Sequence, residues 1–229
     1  MADEVIEIPL FPLNLVLFPG MVQPLHIFEP RYREMTRHCL DTNVSFGVTL
    51  ALPGSEFERE IPAQIGTLAR IVNYQRLADG RYNLITAGGR RFEALELRHD
   101  KPYLCCVARL LPEVLGEGDI AMLAGETRAL LDDYLGLILA LMDSGDKTIE
   151  IPHDTIELSY FIAVCLPCDD DVKQGLLQSS TAVERLTCER DLLRQEIGAI
   201  STQLYRDTCD DDDDDDDQCQ PGARQDPLH

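Results

Sequence analysis

The chain has no tryptophan and three lysines, Lys101, Lys147 and Lys173, in 229 residues. Binding to nucleic acid depends on Lys and Arg neutralising phosphates, so a sequence this short of lysine makes nucleic acid an unfavourable partner. The formal net charge of −21 points the same way. No stretch reaches the roughly 18 uninterrupted apolar residues of a membrane helix. The opening Met1-Ala2-Asp3-Glu4 is acidic where a secretory signal is basic, so a cytoplasmic location and no membrane partner are expected.

Catalytic and metal-binding patterns are equally scarce. None of the three lysines sits in a G-x-x-x-x-G-K-[ST] phosphate loop. His26, His38, His99 and His153 are scattered without i, i+4 pairing, so no zinc-binding helix is visible. Asp132-Asp133 and the series Glu56, Glu58, Glu60 lie on polar stretches and read as solvated faces. No catalytic residue, cofactor or metal is expected.

Cysteine, by contrast, is plentiful at eight residues. In a chain of cytosolic character these read as reduced, small hydrophobes rather than a disulfide framework. Cys165-Leu166-Pro167-Cys168 has redox or zinc spacing. The segment before it reads as helix rather than part of a βαβ unit, and Cys209 with Cys219 has the wrong spacing to complete a zinc site.

The feature that says most is Ile8-Pro9-Leu10-Phe11-Pro12-Leu13-Asn14-Leu15-Val16-Leu17-Phe18-Pro19-Gly20, followed by Pro24 to Tyr32. It is apolar enough for a core, yet its prolines exclude a continuous helix and predict short extended pieces with forced bends. One helix is expected after Glu29, with Pro30 at its first position and Asn43 at its end. Residues 45–50, 67–76, 82–86, 91–97 and 103–111 read as strands, with a hairpin turn at Ala78-Asp79-Gly80 and a bend at Gly88-Gly89.

From about residue 118 the pattern turns helical. Asp119 to Met142 carries a broad apolar stripe and Gly145 is expected to stop it. Asp154 caps a helix that Pro167 ends, Asp169 to Asp171 favour a third helix start, and Thr181 with Glu184 forms a capping box for the last. On that last helix Val183, Leu186, Leu193, Ile197, Ile200 and Leu204 form a seam, read either as packing within the helical half or as a short coiled coil. Residues 207–229 hold ten aspartates against Arg224, a balance of −9 that leaves −12 on the rest. Asp210 to Asp217 buries nothing and is expected to be a disordered tail. The fold class is α+β, in three parts: a half-open β-barrel with one crossing helix (1–112), a helical bundle (113–206) and the acidic tail (207–229).

The segment IPLFPLNLVLFPGMVQPLHIFEPRYREM resembles the opening of the Lon protease amino-terminal domain family. The likeness continues through Phe46-Gly47-Val48, residues 66–71, 79–84 and 89–92, and returns at 173–177 and 184–186, spanning roughly 5–205. The resemblance implies a PUA-like barrel and a non-enzymatic module that engages unfolded or extended polypeptide, with an adaptor role in protein quality control and a AAA+ protease as partner. It does not bring the Lon ATPase loop or the Ser-Lys peptidase pair. The polypeptide contacts expected from the first loop and helix are Leu13, Phe18, Met21, Phe28, Tyr32 and Met35. Two other readings compete: RNA binding through Arg70, Arg76, Arg81, Arg90 and Arg91, and a thiol-dependent enzyme at Cys165 and Cys168.

Overall fold

The computed structural model describes residues 4–53, 61–142 and 149–212. Seven strands come first: β1 (Val5–Leu13), β2 (Val22–Ile27), β3 (Phe46–Leu52), β4 (Ile61–Pro62), β5 (Ile65–Arg76), β6 (Tyr82–Arg98) and β7 (Cys105–Leu110), with helix α1 (Pro30–Thr42) between β2 and β3. Helices α2 (Ile120–Leu141), α3 (Thr155–Cys165), α4 (Asp170–Gln178) and α5 (Ala182–Asp212) follow. The architecture is α+β.

Five strands form a ring, β1 to β7 to β6 to β5 to β3, which closes where β3 pairs with β1 in parallel. β2 and β4 hang from β6 and β3 by one edge each, so the ring is not a clean barrel. The prolines of β1 do not break it into short pieces as expected. Val5 to Pro9 pair with β7 and Leu10 to Leu13 pair with β3, so the strand changes partner at Pro9 and runs unbroken for nine residues. A residue without an N–H is tolerated where one ladder ends and another begins.

The division into two strands expected at Gly88-Gly89 does not occur: β6 is one strand of 17 residues. Its first half pairs with β2 from Tyr82 to Ala87, and its second half pairs with β7 from Phe92 to Arg98. Between them Gly88 meets the incoming chain. Its N–H donates to the Met21 carbonyl at 2.8 Å, its own carbonyl accepts from Gly20 N–H at 2.9 Å, and a Cβ there would lie 2.0 Å from the Phe18 carbonyl oxygen. Glycine is needed for that close approach, not for a turn. Gly89 and Arg90 fall in the register shift opposite Leu68, a β-bulge of the kind that gathers at barrel rims and beside sites.

α1 begins with Pro30 and ends at Asn43 in the left-handed conformation (φ 55°). It lays Tyr32, Met35 and Cys39 against Phe11, Ile27, Phe46, Leu84 and Tyr103. The caps read from sequence at Asp154 and at Thr181 with Glu184 are formed, and the structure adds one at Asp119. Asp119 accepts from Met122 N–H, Asp154 from Ile156 and Glu157 N–H, and Glu184 N–H donates to Thr181 Oγ1 at 3.1 Å while the Glu184 carboxylate accepts from Ser180 and Thr181. The α5 seam turns inward: Leu186, Leu193, Ile197 and Ile200 pack with Leu131 and Tyr134 of α2 and Leu158 and Ile162 of α3. Gly145 lies outside the described residues. The expected tail begins at residue 207; α5 runs to Asp212, and 213–229 lie outside the described residues.

One core cluster joins the two halves. Val16, Phe18, Leu50 and Ala63 from the strand region meet Tyr160, Ala163, Leu176 and Leu177 from α3 and α4.

Candidate functional site

Where the edge of β6 passes from β2 to β7, a cavity of about 800 Å³ opens between the strand ring and α3. Its strand-side wall is Pro19 to Val22 and Gly88 to Arg90. Its helix-side wall is one face of α3: Ile156, Tyr160 and Val164 fall four residues apart, and Glu157 with Phe161 lies beside them. Pro152 and Glu113 complete it. The lining is mostly apolar with a few placed polar groups, the usual make-up of a binding cavity.

The polar groups are held rigidly. Tyr160 donates its hydroxyl to Glu113 Oε2 at 2.6 Å. Arg91 donates from Nε and Nη2 to both oxygens of Glu113 (3.1 and 3.4 Å), and from Nη1 to the carbonyls of Leu177 (2.8 Å) and Ser179 (2.7 Å) at the end of α4. Arg91 is buried, so these bonds replace its hydration shell. Behind Tyr160 the guanidinium of Arg185 lies 3.8 Å from the ring centroid and donates to Ser159 Oγ at 2.9 Å. Burial pushes the Tyr160 phenol up, which keeps it a hydrogen-bond donor. Beneath it Glu189 is buried with no hydrogen-bond partner for either oxygen among the described residues. Burial raises its carboxyl well above the usual range, against the pull of Arg185.

This arrangement can hold an apolar side chain and orient a polar group against Glu113 and Tyr160. Among the described residues lining the cavity there is no cysteine, serine, threonine, lysine or histidine. Cys165 and Cys168 close α3 and precede α4, and burial pushes Cys165 up to about 11 and Cys168 in the same direction. A reactive thiol needs the opposite shift.

Of the residues expected to contact polypeptide, Met21 lines the cavity. Phe18 lies under it, buried, with its ring 6.3 Å from that of Tyr160. Tyr32 and Met35 are buried beneath α1, and Leu13 is half-buried against the same cluster. Phe28 is 60% exposed and stacks on His26, outside the cavity lining. The structure therefore puts Met21 at the cavity and Phe18, Tyr32 and Met35 in the core. Of the arginines considered for RNA, Arg81 pairs with Asp79 (2.6 Å), Arg90 with Glu4 (2.7 Å) and Arg91 with Glu113, leaving their charge spoken for.

Sequence reading missed Ile156, Tyr160, Phe161 and Val164, which it took as core of a helix, and also Glu113, Arg185 and Glu189. A signal was present in the last pair: Arg185 and Glu189 stand i, i+4 beside the apolar seam, where charge has to be paired or neutralised.

Among the described residues no helix is long and apolar enough to cross a membrane. Comparison with known proteins places these observations. The model of the ATP-dependent protease La (LON) substrate-binding domain matches residues 7–195. The Lon protease of Cytophaga hutchinsonii is 26% identical over 200 residues, covering 83% of this chain and 24% of that protein. Protein cereblon of Xenopus tropicalis is 27% identical over 248 residues, covering 83% of this chain and 54% of that one. The chain thus spans about a quarter of the length of such Lon proteases and about half that of cereblon. Among solved structures, a Lon N-terminal domain protein from Xanthomonas campestris aligns with a TM-score of 0.59 at 28% identity over 80% of this chain and 95% of that one. The N-terminal domain of a Mycobacterium avium complex Lon protease aligns with a TM-score of 0.63 at 19% identity, over 82% of this chain and 98% of that one, and shares the fold. With the match running from β1 deep into α5, the chain belongs to the family of the Lon substrate-binding domain.

Proposed function

We propose that the chain is a non-enzymatic recognition module that binds extended, apolar polypeptide segments. The observation that carries this reading is the apolar cavity of about 800 Å³ at the β2 end of the β6 edge. Among the described residues β2 pairs with β6 alone, and its other edge is the one offered to an extended segment for strand addition. A large apolar side chain of that segment enters between Met21 and Phe161, while Tyr160 and Glu113 meet a backbone or side-chain donor. Family membership supports the reading, and with it an adaptor role that hands clients to a AAA+ protease in the cytoplasm.

Titration of the chain with a fluorescent peptide of about ten residues, apolar and extended, tests the site. Met21→Asp and Phe161→Asp are expected to weaken binding by about tenfold or more, because each places a charge in the apolar wall. Phe18→Ala is expected to destabilise the fold by about 3 kcal/mol, since its ring is buried. Unchanged affinity in both aspartate variants, or no binding by the parent chain, overturns the proposal.

A further inference from the structure

A second concavity, of about 240 Å³, lies at the Tyr82 end of the β2–β6 ladder, lined by Pro30, Arg33, Glu34, Arg37, Arg76 and Tyr82 with the turn glycine Gly80. By sequence spacing alone, Arg31, Arg33 and Arg37 of α1 have Glu29 and Glu34 close by, which favours local ion pairing. The structure pairs Arg31 with Glu29 at 2.9 Å, and among the described residues forms no ion pair at Arg33, Arg37 or Arg76, with Glu34 the one acid in the lining. In a chain of net charge −21, three guanidiniums facing one cleft against a single carboxylate, Glu34, are conspicuous. Arg33 and Arg37 stand i, i+4 on α1, a spacing at which like charges repel, and Arg76 from β5 adds a third positive charge opposite them. An anion in the cleft removes that repulsion. Pro30 is the first residue of α1, so the positive end of the helix dipole lies at the same cleft.

We propose that this cleft binds the phosphoryl group of a phosphorylated side chain in the polypeptide that the chain recognises. Three arginines against Glu34 leave a balance of two positive charges, which matches a phosphate monoester of about −2 and exceeds what one carboxylate offers. Guanidinium forks suit phosphate oxygens through paired N–H donors. The volume falls below the roughly 300 Å³ at which pockets begin to enclose whole small molecules, so the cleft takes a group rather than a free ligand. Gly80 takes the left-handed turn at its floor (φ +83°), and the Arg33 guanidinium rests on that turn.

The placement links the two sites. β2 and β6 pair from Val22 with Ala87, at the apolar cavity, to Ile27 with Tyr82, at the arginine cleft. Five residues of strand separate them, about 17 Å at the usual rise. An extended segment along this ladder with its apolar anchor in the first site therefore carries a phosphoserine or phosphothreonine to the second about five residues away. The inference rests on the reading that the chain binds polypeptide.

The test uses the full chain and four probes by calorimetry: an extended peptide with a phenylalanine anchor and a phosphoserine five residues away, the same peptide with serine, the same with glutamate, and inorganic phosphate. The chain's own Asp210 to Asp217 run competes alike in every arm. The phosphoserine peptide is expected to bind about tenfold tighter than the serine peptide. Arg37→Gln and Arg76→Gln, both at exposed positions, are expected to erase that difference without weakening the serine peptide. Equal binding of phosphoserine and serine peptides overturns this inference and leaves polypeptide recognition standing. Equal binding of glutamate and phosphoserine peptides overturns the phosphoryl assignment, and inorganic phosphate binding as tightly as the phosphopeptide overturns the polypeptide as its source. Failure of all three peptides overturns polypeptide recognition itself.

Discussion

At the scale of single residues, the buried charges beneath the cavity set how stability responds to pH. Glu189 has no hydrogen-bond partner among the described residues, and a bare carboxylate in an apolar surround is costly, so burial raises its pKa. A carboxyl with a higher pKa in the folded chain than in the unfolded one binds more protons when folded. Its favourable contribution is therefore complete below the unfolded value of about 4.3 and is lost as pH rises through the folded value. Glu189→Gln keeps the shape and removes the titration. The variant is expected to gain stability relative to the parent as pH is raised from about 5 to about 8, read as a widening gap between urea midpoints. Parallel profiles for the two proteins would show that Glu189 is ionised and paired with Arg185 throughout. The cysteines follow the same logic with a chemical readout: with Cys165 up at about 11, its alkylation is expected to stay slow at neutral pH and accelerate only in strong base.

At the scale of elements, what fixes the cavity is where β6 changes partner and how α3 is tied down beside it. Gly88→Ala pushes a methyl toward the Phe18 carbonyl at 2.0 Å, so loop and strand must part at the cavity mouth. A loss of about 2 kcal/mol is expected by denaturation, together with weaker peptide binding. Arg91→Ala strips Glu113 of its partner and frees two carbonyls at the end of α4, with an expected cost of about 3 kcal/mol. If Arg91→Ala unfolds at the same urea concentration as the parent, the tie between sheet and helices carries no weight. Helices were the legible elements, because their signals are local: Asp154 and the Thr181–Glu184 box each act within one turn. Strands β1 and β2 were hidden by Pro9, Pro12 and Pro24, whose acceptability depends on which neighbour each residue faces, a fact of topology. The Gly88-Gly89 pair was visible but its cause was not, since the Phe18 carbonyl that demands it lies 70 residues away. Met21 was found because the first loop is apolar and distinctive; Tyr160 and Phe161 were not, because a residue lining a cavity and one filling a core share the same helical periodicity.

At the scale of the whole molecule, the issue is whether strand and helical halves are two domains or one. Residues 1–112 and 113–206 look separable in sequence, yet Val16, Phe18, Leu50 and Ala63 of the first are covered by Tyr160, Ala163, Leu176 and Leu177 of the second. Each larger apolar side chain returned to water costs about 2 kcal/mol, against a total stability of about 5 to 15 kcal/mol for a domain. Removing the helical half exposes several at once and deprives Arg91 of both Glu113 and its two carbonyl acceptors. The full chain is therefore expected to unfold in one transition, with circular dichroism, which follows the helices, coinciding with tyrosine fluorescence, which follows both halves. Residues 1–112 made alone are expected to lose that sharp transition and to bind a hydrophobic dye, the behaviour of a chain with secondary structure but loosened packing. A sharp transition in the isolated strand half, matched by two separable steps in the full chain, would instead mean two autonomous domains. The apolar cavity would then be a gap between them, free to widen, rather than a site with fixed walls.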